Sequence, residues 1–347
     1  MIKCVSCGSF PGTAVSGPVE KQEMLTVVER EASVYPYDQY RHYPTIENNR
    51  WENYLLKRLK TLLSNEEWLF FFDDREGGPY LLSCRISKWD EEHFGFKMAF
   101  INVLFTGHSA AVQEVLGGLL AQITAFLRSI GVKFISCRLN GDNPPAIHAF
   151  EAQGFRYYEN IIWVVMDCKN LPSSSEIHRS GTDGTVDNPA DLQVRLMKET
   201  DLREVLQIAG KSSYRRGHYN CDVRFDRDKV HSMHVKWIQT AWQNKKPISV
   251  LEKDNKIYGY FVFNLDEDLS AALGYRYGRM RNLGLDPGAR RKGLGSRLFL
   301  GTAALMKDMG ALYIDSGYSV KNHISAKLHA KHLFFPVYEE VTLHYWL

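Results

Sequence analysis

The chain has 347 residues, 44% of them hydrophobic and 24% charged, with a formal net charge of +3. That length suits about two domains of ~100–200 residues, and the composition is that of a globular chain rather than a disordered one. The charge is too mild to carry a nucleic-acid reading, and the densest apolar run, Ile161 to Met166, falls far short of the ~18 residues a membrane span needs. The N-terminal segment has no apolar core of signal-peptide length, so a cytoplasmic protein is expected. Six cysteines are scattered, and Cys4-x-x-Cys7 is half of a zinc-ribbon pattern with no second pair.

In chain order, the first half reads as strand Phe100–Phe105, helix Ala110–Ser129, strand Lys133–Leu139 and helix Pro145–Gln153. A Ser-, Gly-, Pro- and Asp-rich stretch follows at 171–190 and is taken as the linker. Residues 1–40 are expected to be an extension, 41–170 a first domain and 191–347 a second. The second half reads as strand Leu192–Met197, a helix introduced by Lys198-Glu-Thr-Asp201, and a polar loop Ser212–Arg227. A helix through His231, Val235, Ile238 and Trp242 is next, then strands at Ile248–Glu252, Lys256–Asn264 and Tyr275–Leu285. A helix from Leu294 precedes strand Ala311–Asp315 and helix Asn322–Leu333. Strands near Val337–Glu339 and Val341–Leu347 close the chain.

The halves share this order. Position n aligns with n + 179 without a gap from about 111 to 155, placing Leu119 on Leu298, Gly131 on Gly310, Ile135 on Ile314, Asn143 on Asn322 and Phe155 on Phe334. The expected fold class is therefore α/β (α+β): a duplicated fold, each copy a mixed, mostly antiparallel sheet flanked by helices.

The most telling segment is Asp286-Pro-Gly-Ala-Arg290-Arg291-Lys292-Gly293-Leu294-Gly295, where a strand gives way to a basic glycine loop and then a helix. The first N–H groups of a helix lack intrahelical partners and sit at the positive end of its dipole, and glycines admit phosphate to the backbone. The segment is expected to hold a pyrophosphate. In the repeat register Arg290, Gly293 and Gly295 fall on Ala111, Glu114 and Leu116. The first half has no glycine and no cation there, and a carboxylate that repels phosphate, so only the second half is expected to bind a cofactor.

Arg290-x-x-Gly293-x-Gly295 resembles the pyrophosphate loop of the GNAT superfamily of acetyltransferases, and Asn322, seven residues before His329 and followed by Phe334, is similar to its later helical motif. Trp89 to Phe96, Asn143 to Phe155, Ser213-Tyr-Arg with the helix Lys229–Trp242, and the closing His344-Tyr-Trp-Leu347 resemble segments of the sugar N-acetyltransferases of the dTDP-fucosamine type. The resemblance implies tandem GNAT-like domains, the N-terminal one degenerate. It also implies acetyl transfer from acetyl-CoA to a primary amine of a small molecule, such as an amino sugar on a nucleotide carrier, without an acyl-enzyme. Leu283, Gly284 and Leu285 would run beside the pantetheine and Arg290, Arg291, Lys292, Gly293, Leu294 and Gly295 would hold the pyrophosphate. Asn322 would bond the pantetheine or the adjacent strand, and Ser213, Tyr214, Arg215 and Arg216 would meet the acceptor. His329 stands where the family usually has a tyrosine as general acid, and imidazole can serve as acid, base or shuttle.

Other candidates are Asp315 as a base, and Arg224, Arg227, Arg276, Arg279 and Arg281 as ligands of a substrate diphosphate. His218 and Tyr219 could stack on a base or sugar or anchor their loop, while His93, Phe94 and Phe96 read as packing. His231-x-x-His234 and His329-x-x-His332 have metal-compatible spacing but no third ligand, so no metal is expected. Neither nucleic acid nor membrane is expected as a partner, and a homodimer is left open. Two other functions fit the same residues: acylation of a peptide or protein amine or use of another acyl-CoA, and a spent acyl-CoA-binding sensor.

Overall fold

The computed structural model describes residues 3–6, 24, 26, 29, 30, 43–65, 67–73, 79–106, 111–179, 192–211 and 217–347. They form two compact units, Met1–Ile161 with Tyr338–Leu347, and Ile162–Val337. The chain is thus cut at 161/162 rather than at 171–190, and its last strand is returned to the first unit. Part of the expected linker is a short helix, Ser174–Arg179, tied through Ser174 to Asp308, and 180–191 lie outside the described residues. Among the described residues no helix is long and apolar enough to cross a membrane.

The first unit orders its strands β1 (Lys3–Ser6), β2 (Trp68–Asp73), β3 (Tyr80–Ile86), β4 (Met98–Thr106) and β5 (Phe134–Asn140), then β12 (Phe335–Trp346). All neighbours are antiparallel except β4 and β5. Helices α1 (Asn48–Ser64), α2 (Lys88–Phe94), α3 (Val112–Ser129) and α4 (Pro144–Ala152) accompany it. The buried stripe of α3, Val115, Leu116, Leu119, Leu120, Ile123 and Leu127, has helical spacing and packs into one core with Leu82, Ile101, Ile135 and Leu343. The C-terminal strand therefore completes the first unit: Leu343 opposes Cys137 and is fully buried.

The second unit runs β11 (Ala311–Ser319), β10 (Arg276–Leu285), β9 (Lys256–Leu265), β8 (Ile248–Lys253) and β7 (Gln193–Leu196), with the end of β6 (Arg156–Asp167) beside β11. Its helices are α5 (Ser174–Arg179), α6 (Leu202–Lys211), α7 (His218–Cys221), α8 (Arg227–Gln243), α9 (Glu267–Leu273), α10 (Leu294–Asp308) and α11 (His323–Lys331). The face of the sheet toward α10 carries Phe261, Phe263, Met280 and Ile314, packed on Leu298, Phe299 and Met306.

The n + 179 register extends well beyond 111–155. It carries α1 onto α8, α2 onto α9, α4 onto α11 and β6 onto β12 with identical bounds. Caps repeat with the helices. Ser87 and Asp266 accept from the third backbone N–H of α2 and α9, and Asn143 and Asn322 do so for α4 and α11. Gly95 and Gly274 end the first pair in left-handed conformation, as Gly131 and Gly310 do after α3 and α10. The duplicated α/β fold expected from the sequence is thus present in both halves. At Gly154 (φ 93) the second copy has Leu333 (φ 60), an 80% exposed residue that keeps the left-handed helix exit at some backbone cost.

Truncating Leu343 tests the placement of the last strand. Leu343→Ala should lower unfolding stability by about 2–5 kcal/mol, with hydrogen exchange accelerating in Phe134–Asn140. Acceleration confined to 192–337 would contradict the division.

Candidate active site

Strands β10 and β11 pair in parallel from Arg276↔Ala311 to Arg279↔Asp315, with a register shift between Arg276 and Tyr277. Beyond that pair β10 follows β9 alone to Leu285↔Gly259, with an irregularity at Arg281 between Met280 and Asn282. The corresponding strands of the first unit, β4 and β5, stay paired through Ile101↔Cys137 and Asn102↔Arg138. Their counterparts, Met280↔Ser316 and Arg281↔Gly317, do not form. The second unit alone opens a wedge in mid-sheet. A Cβ on Gly284 would stand 2.3 Å from the Tyr260 ring, and one on Gly259 would stand 2.8 Å from the Gly284 carbonyl oxygen, so only glycine fits at either place. Leu283 and Leu285 are half-buried along this edge.

The wedge leads into the basic loop. Asp286 accepts from Gly288 N–H at 2.8 Å and starts a 3₁₀ turn, Pro287–Ala289. Arg291 (φ 63) and Gly293 (φ 74) are left-handed, and Gly293 caps α10 without any side-chain hydrogen bond to the helix's first N–H groups. Those donors, the positive end of a long helix and the exposed Arg290, Arg291 and Lys292 together form an anion site. Arg290 also reaches back to the Leu285 carbonyl at 3.4 Å. Leu294 is buried and Gly295 half-buried, its would-be Cβ 3.7 Å from Leu285. In the first unit the same place is a cleft of about 620 Å³ between α3 and α4, lined by Ala111, Glu114, Gly117, Ala149 and Gln153. A carboxylate and no cation meet the helix start there.

The side chain of Asn322 caps α11 by accepting from Ser325 N–H at 3.2 Å, and its backbone N–H donates to Ser319. His329 departs from the role expected of it. It is 3% exposed and packed among Phe299, Tyr318 and Phe334. Its Nδ1 lies 2.8 Å from the Ser325 carbonyl, which can only accept, so Nδ1 carries the proton. Its Nε2, 2.9 Å from Ser316 Oγ, then accepts from that hydroxyl. Burial pushes its pKa down to about 4. A neutral imidazole with both nitrogens engaged is no open proton donor. Spacing shows which way a residue points along a helix and not what closes over it, so these partners are not visible in the sequence. His332, also held at about 4, bonds Ser296 at 2.8 Å.

The opposite sheet face carries charge. Arg279 pairs with Asp266 at 2.5 Å and Arg281 with Asp315 at 2.8 Å, while the Arg281 guanidinium lies 5.3 Å from the Trp163 ring centroid. Asp315 is fully buried. Sequence reasoning offered these arginines to a diphosphate, but they are engaged internally, as are Arg276 with the Met309 carbonyl, Arg224 with Asp222 and Arg227 with the Asn220 carbonyl. Ser213, Tyr214, Arg215 and Arg216 lie outside the described residues. Tyr219 is buried against Phe225 and anchors the following loop. His93 stacks on Trp89 and meets Phe94 edge-on in the first unit, as packing. Burial pushes the thiol of Cys168 up to about 12 and raises that of Cys137, which makes both inert. Among the described residues no cluster of three or more His, Cys, Asp or Glu could hold a metal.

Residues 214–334 match the model of the Acetyltransferase (GNAT) family. That segment is therefore similar to a GNAT acetyltransferase domain. No curated protein matches the sequence. Among solved structures, a GCN5-related N-acetyltransferase from Sphaerobacter thermophilus superimposes with a TM-score of 0.61 at 11% identity, over 99% of this chain and 95% of its own. A tandem GNAT protein from the clavulanic acid biosynthesis pathway gives 0.53 at 11%, over 100% and 98%. The glucosamine N-acetyltransferase region of a fungal multi-domain β-N-acetylglucosaminidase gives 0.59 at 12%, over 99% of this chain and 38% of that one. At such identities these likenesses establish the tandem fold.

His234, His329 and His332 are each held near 4 by burial, against an ordinary value of 6.5. The unfolded chain binds these protons first, so their contribution to stability is complete above pH 6.5 and is lost as pH falls through about 4. His329→Phe should flatten the fall of unfolding free energy between those limits; an unchanged slope would show that His329 is not buried neutral.

Proposed function

We propose that the second unit transfers an acetyl group from acetyl-CoA to the primary amine of a small molecule, with an amino sugar on a nucleotide carrier as the acceptor class. The wedge between β10 and β11, ending on the uncapped, cationic start of α10, is the observation that carries this reading. It provides a slot for an extended pantetheine arm followed by an anion site for a pyrophosphate. The residues present fit the donor: Leu283, Gly284 and Leu285 would flank the arm, and Arg290, Arg291, Lys292, Gly293, Leu294 and Gly295 would hold the phosphates. The likeness of Trp89–Phe96 and the closing His344–Leu347 to sugar N-acetyltransferases supports the acceptor class, as does the acceptor of the glucosamine enzyme with a similar fold.

Bound there, acetyl-CoA supplies a thioester activated for acyl transfer. The chain contributes position and polarity. A backbone N–H of β10 near the Arg281 irregularity would donate to the carbonyl oxygen as negative charge develops. Attack by the neutral amine is direct, with no acyl-enzyme. Asn322 fixes the start of α11, and His329 fixes Ser316 at the floor of the wedge. The segment 213–216 would meet the acceptor.

The burial of His329 favours a second reading, an acyl-CoA-binding sensor that no longer turns over. Thiol release from acetyl-CoA with a panel of amines, amino sugars included, separates the two. Turnover supports transfer; CoA binding by calorimetry with no turnover supports the sensor.

The anion site makes its own prediction. Replacing Arg290 and Arg291 together by alanine should raise the acetyl-CoA KM at least tenfold, about 1.4 kcal/mol or more of lost attraction, while kcat changes little. An unchanged KM would move the pyrophosphate elsewhere.

A further inference from the structure

Among the charges on the sheet face away from α10, Arg281 is the one turned outward. Its side chain is 31% exposed, against 17% for Arg279 and 18% for Asp266, while Asp315 is fully buried. It is also held still. Nη1 donates to Asp315 Oδ1 at 2.8 Å and to the Met280 carbonyl at 3.1 Å, and the guanidinium carbon lies 5.3 Å from the Trp163 ring centroid. Arg281 thus spends one nitrogen and one flank inside the fold. Its Nε and Nη2 have no hydrogen-bond partner among the described residues. Their N–H bonds make the side-on fork of a guanidinium, whose spacing matches two oxygens of a carboxylate or a phosphate.

The backbone is shaped to present this group. The β9–β10 ladder shifts register at Arg281, between Met280 and Asn282, and an extra residue in a strand re-aims its side chain. The duplicated fold supplies an internal control. In the n + 179 register Arg281, Asp315, Arg279 and Trp163 fall on Asn102, Ser136, Phe100 and Thr342. Asn102 pairs regularly with Ser83, and the shift in that ladder falls elsewhere, between Leu81 and Leu82. The first unit therefore has no guanidinium here, no buried carboxylate to anchor one and no ring to flank it. Its sheet folds without any charge at these positions, and burying Asp315 is costly. Folding alone does not call for the exchange, whereas presenting a rigid fork to a ligand does.

We propose that Arg281 recognises the acceptor by binding an anionic oxygen group, carboxylate or phosphate, that the acceptor amine carries; this rests on the acetyl-transfer reading above. The group sits on the sheet face away from α10, apart from the anion site at Arg290, Arg291 and Lys292 that serves the donor. Arg281 stands just past the last β10–β11 pair, Arg279↔Asp315, so an amine tethered to the bound group reaches the wedge from this face. The acceptor class narrows from any small amine to one bearing an anion. A diphosphate-linked amino sugar is one member of that class, and an amino acid is another. Arg281 makes and breaks no bond in the transfer; it sets which amine is held.

Paired acceptors that differ only in the anionic group test this: phosphorylated glucosamine against glucosamine, and an ω-amino acid against its amide. In the wild type, kcat/KM for the anionic member of one pair should exceed that of its neutral partner about tenfold or more. The pair that shows the preference identifies the group as phosphate or carboxylate. Arg281→Lys keeps a charge beside Asp315 and loses the fork, so the ratio should fall close to one. Arg281→Asn combined with Asp315→Ser restores the first unit's residues, leaves Arg279 paired with Asp266, and should do the same. Calorimetry reads the site without turnover. With CoA filling the donor site, the wild type should bind the anionic member more tightly than its neutral partner by a like factor, and Arg281→Lys should lose the difference. No preference in either pair, or a preference that survives both variants, overturns the assignment, and turnover in that case leaves acetyl transfer standing. A calorimetric preference with no turnover upholds the anion site and overturns the transfer reading.

Discussion

Everything distinctive about the second unit follows from two parallel strands that stop pairing. A parallel pair is held by evenly spaced, slanted hydrogen bonds, and this ladder ends at Arg279↔Asp315. Its continuation is blocked by what surrounds it. β10 is irregular at Arg281 and stays with β9 through a glycine-to-glycine approach that only Gly259 and Gly284 permit. β11 is held toward α11 by the Ser316–His329 hydrogen bond and by the Tyr318 ring. Arg281, reaching from β10 to the buried carboxylate of Asp315, closes the apex. The wedge is therefore set by the pairing and packing of these strands.

The first unit shows what the same fold does without those features. Ser136 stands for Asp315, Phe100 for Arg279, Asn102 for Arg281, and Cys137 and Phe150 for the serine and histidine. Its strands stay zipped for two more pairs, its core is continuous, and the first turn of its helix α3 carries Glu114. Charged and polar groups are costly to bury, and the second unit buries several beside its open strands. That cost is balanced locally by ion pairs and hydrogen bonds, a pattern expected where structure serves chemistry.

The basic glycine loop was legible in the sequence because its signals are local: glycines at φ-sensitive places, cations, and the start of a helical period. The duplication was visible only from 111 to 155, where Gly131, Asn143 and Phe155 have like partners. Elsewhere elements coincide residue for residue while side chains do not, as with α1 and α8. Helix α9 was hidden because Glu267–Leu273 is short and sits between two strands. The return of Tyr338–Leu347 to the first unit is a long-range pairing that no local pattern encodes. His329 was found by spacing and its surroundings were not, since they come from β11, α10 and Phe334.

The central claim is that one site per chain binds acyl-CoA, at the wedge and loop of the second unit. Hydrogen exchange with and without CoA tests it most directly. Protection should appear at Asn282–Leu285 and Gly293–Ser296, with no change at Asn102–Thr106 or Val112–Gly117. Protection of the first-unit segments, or of both sets, would contradict the account.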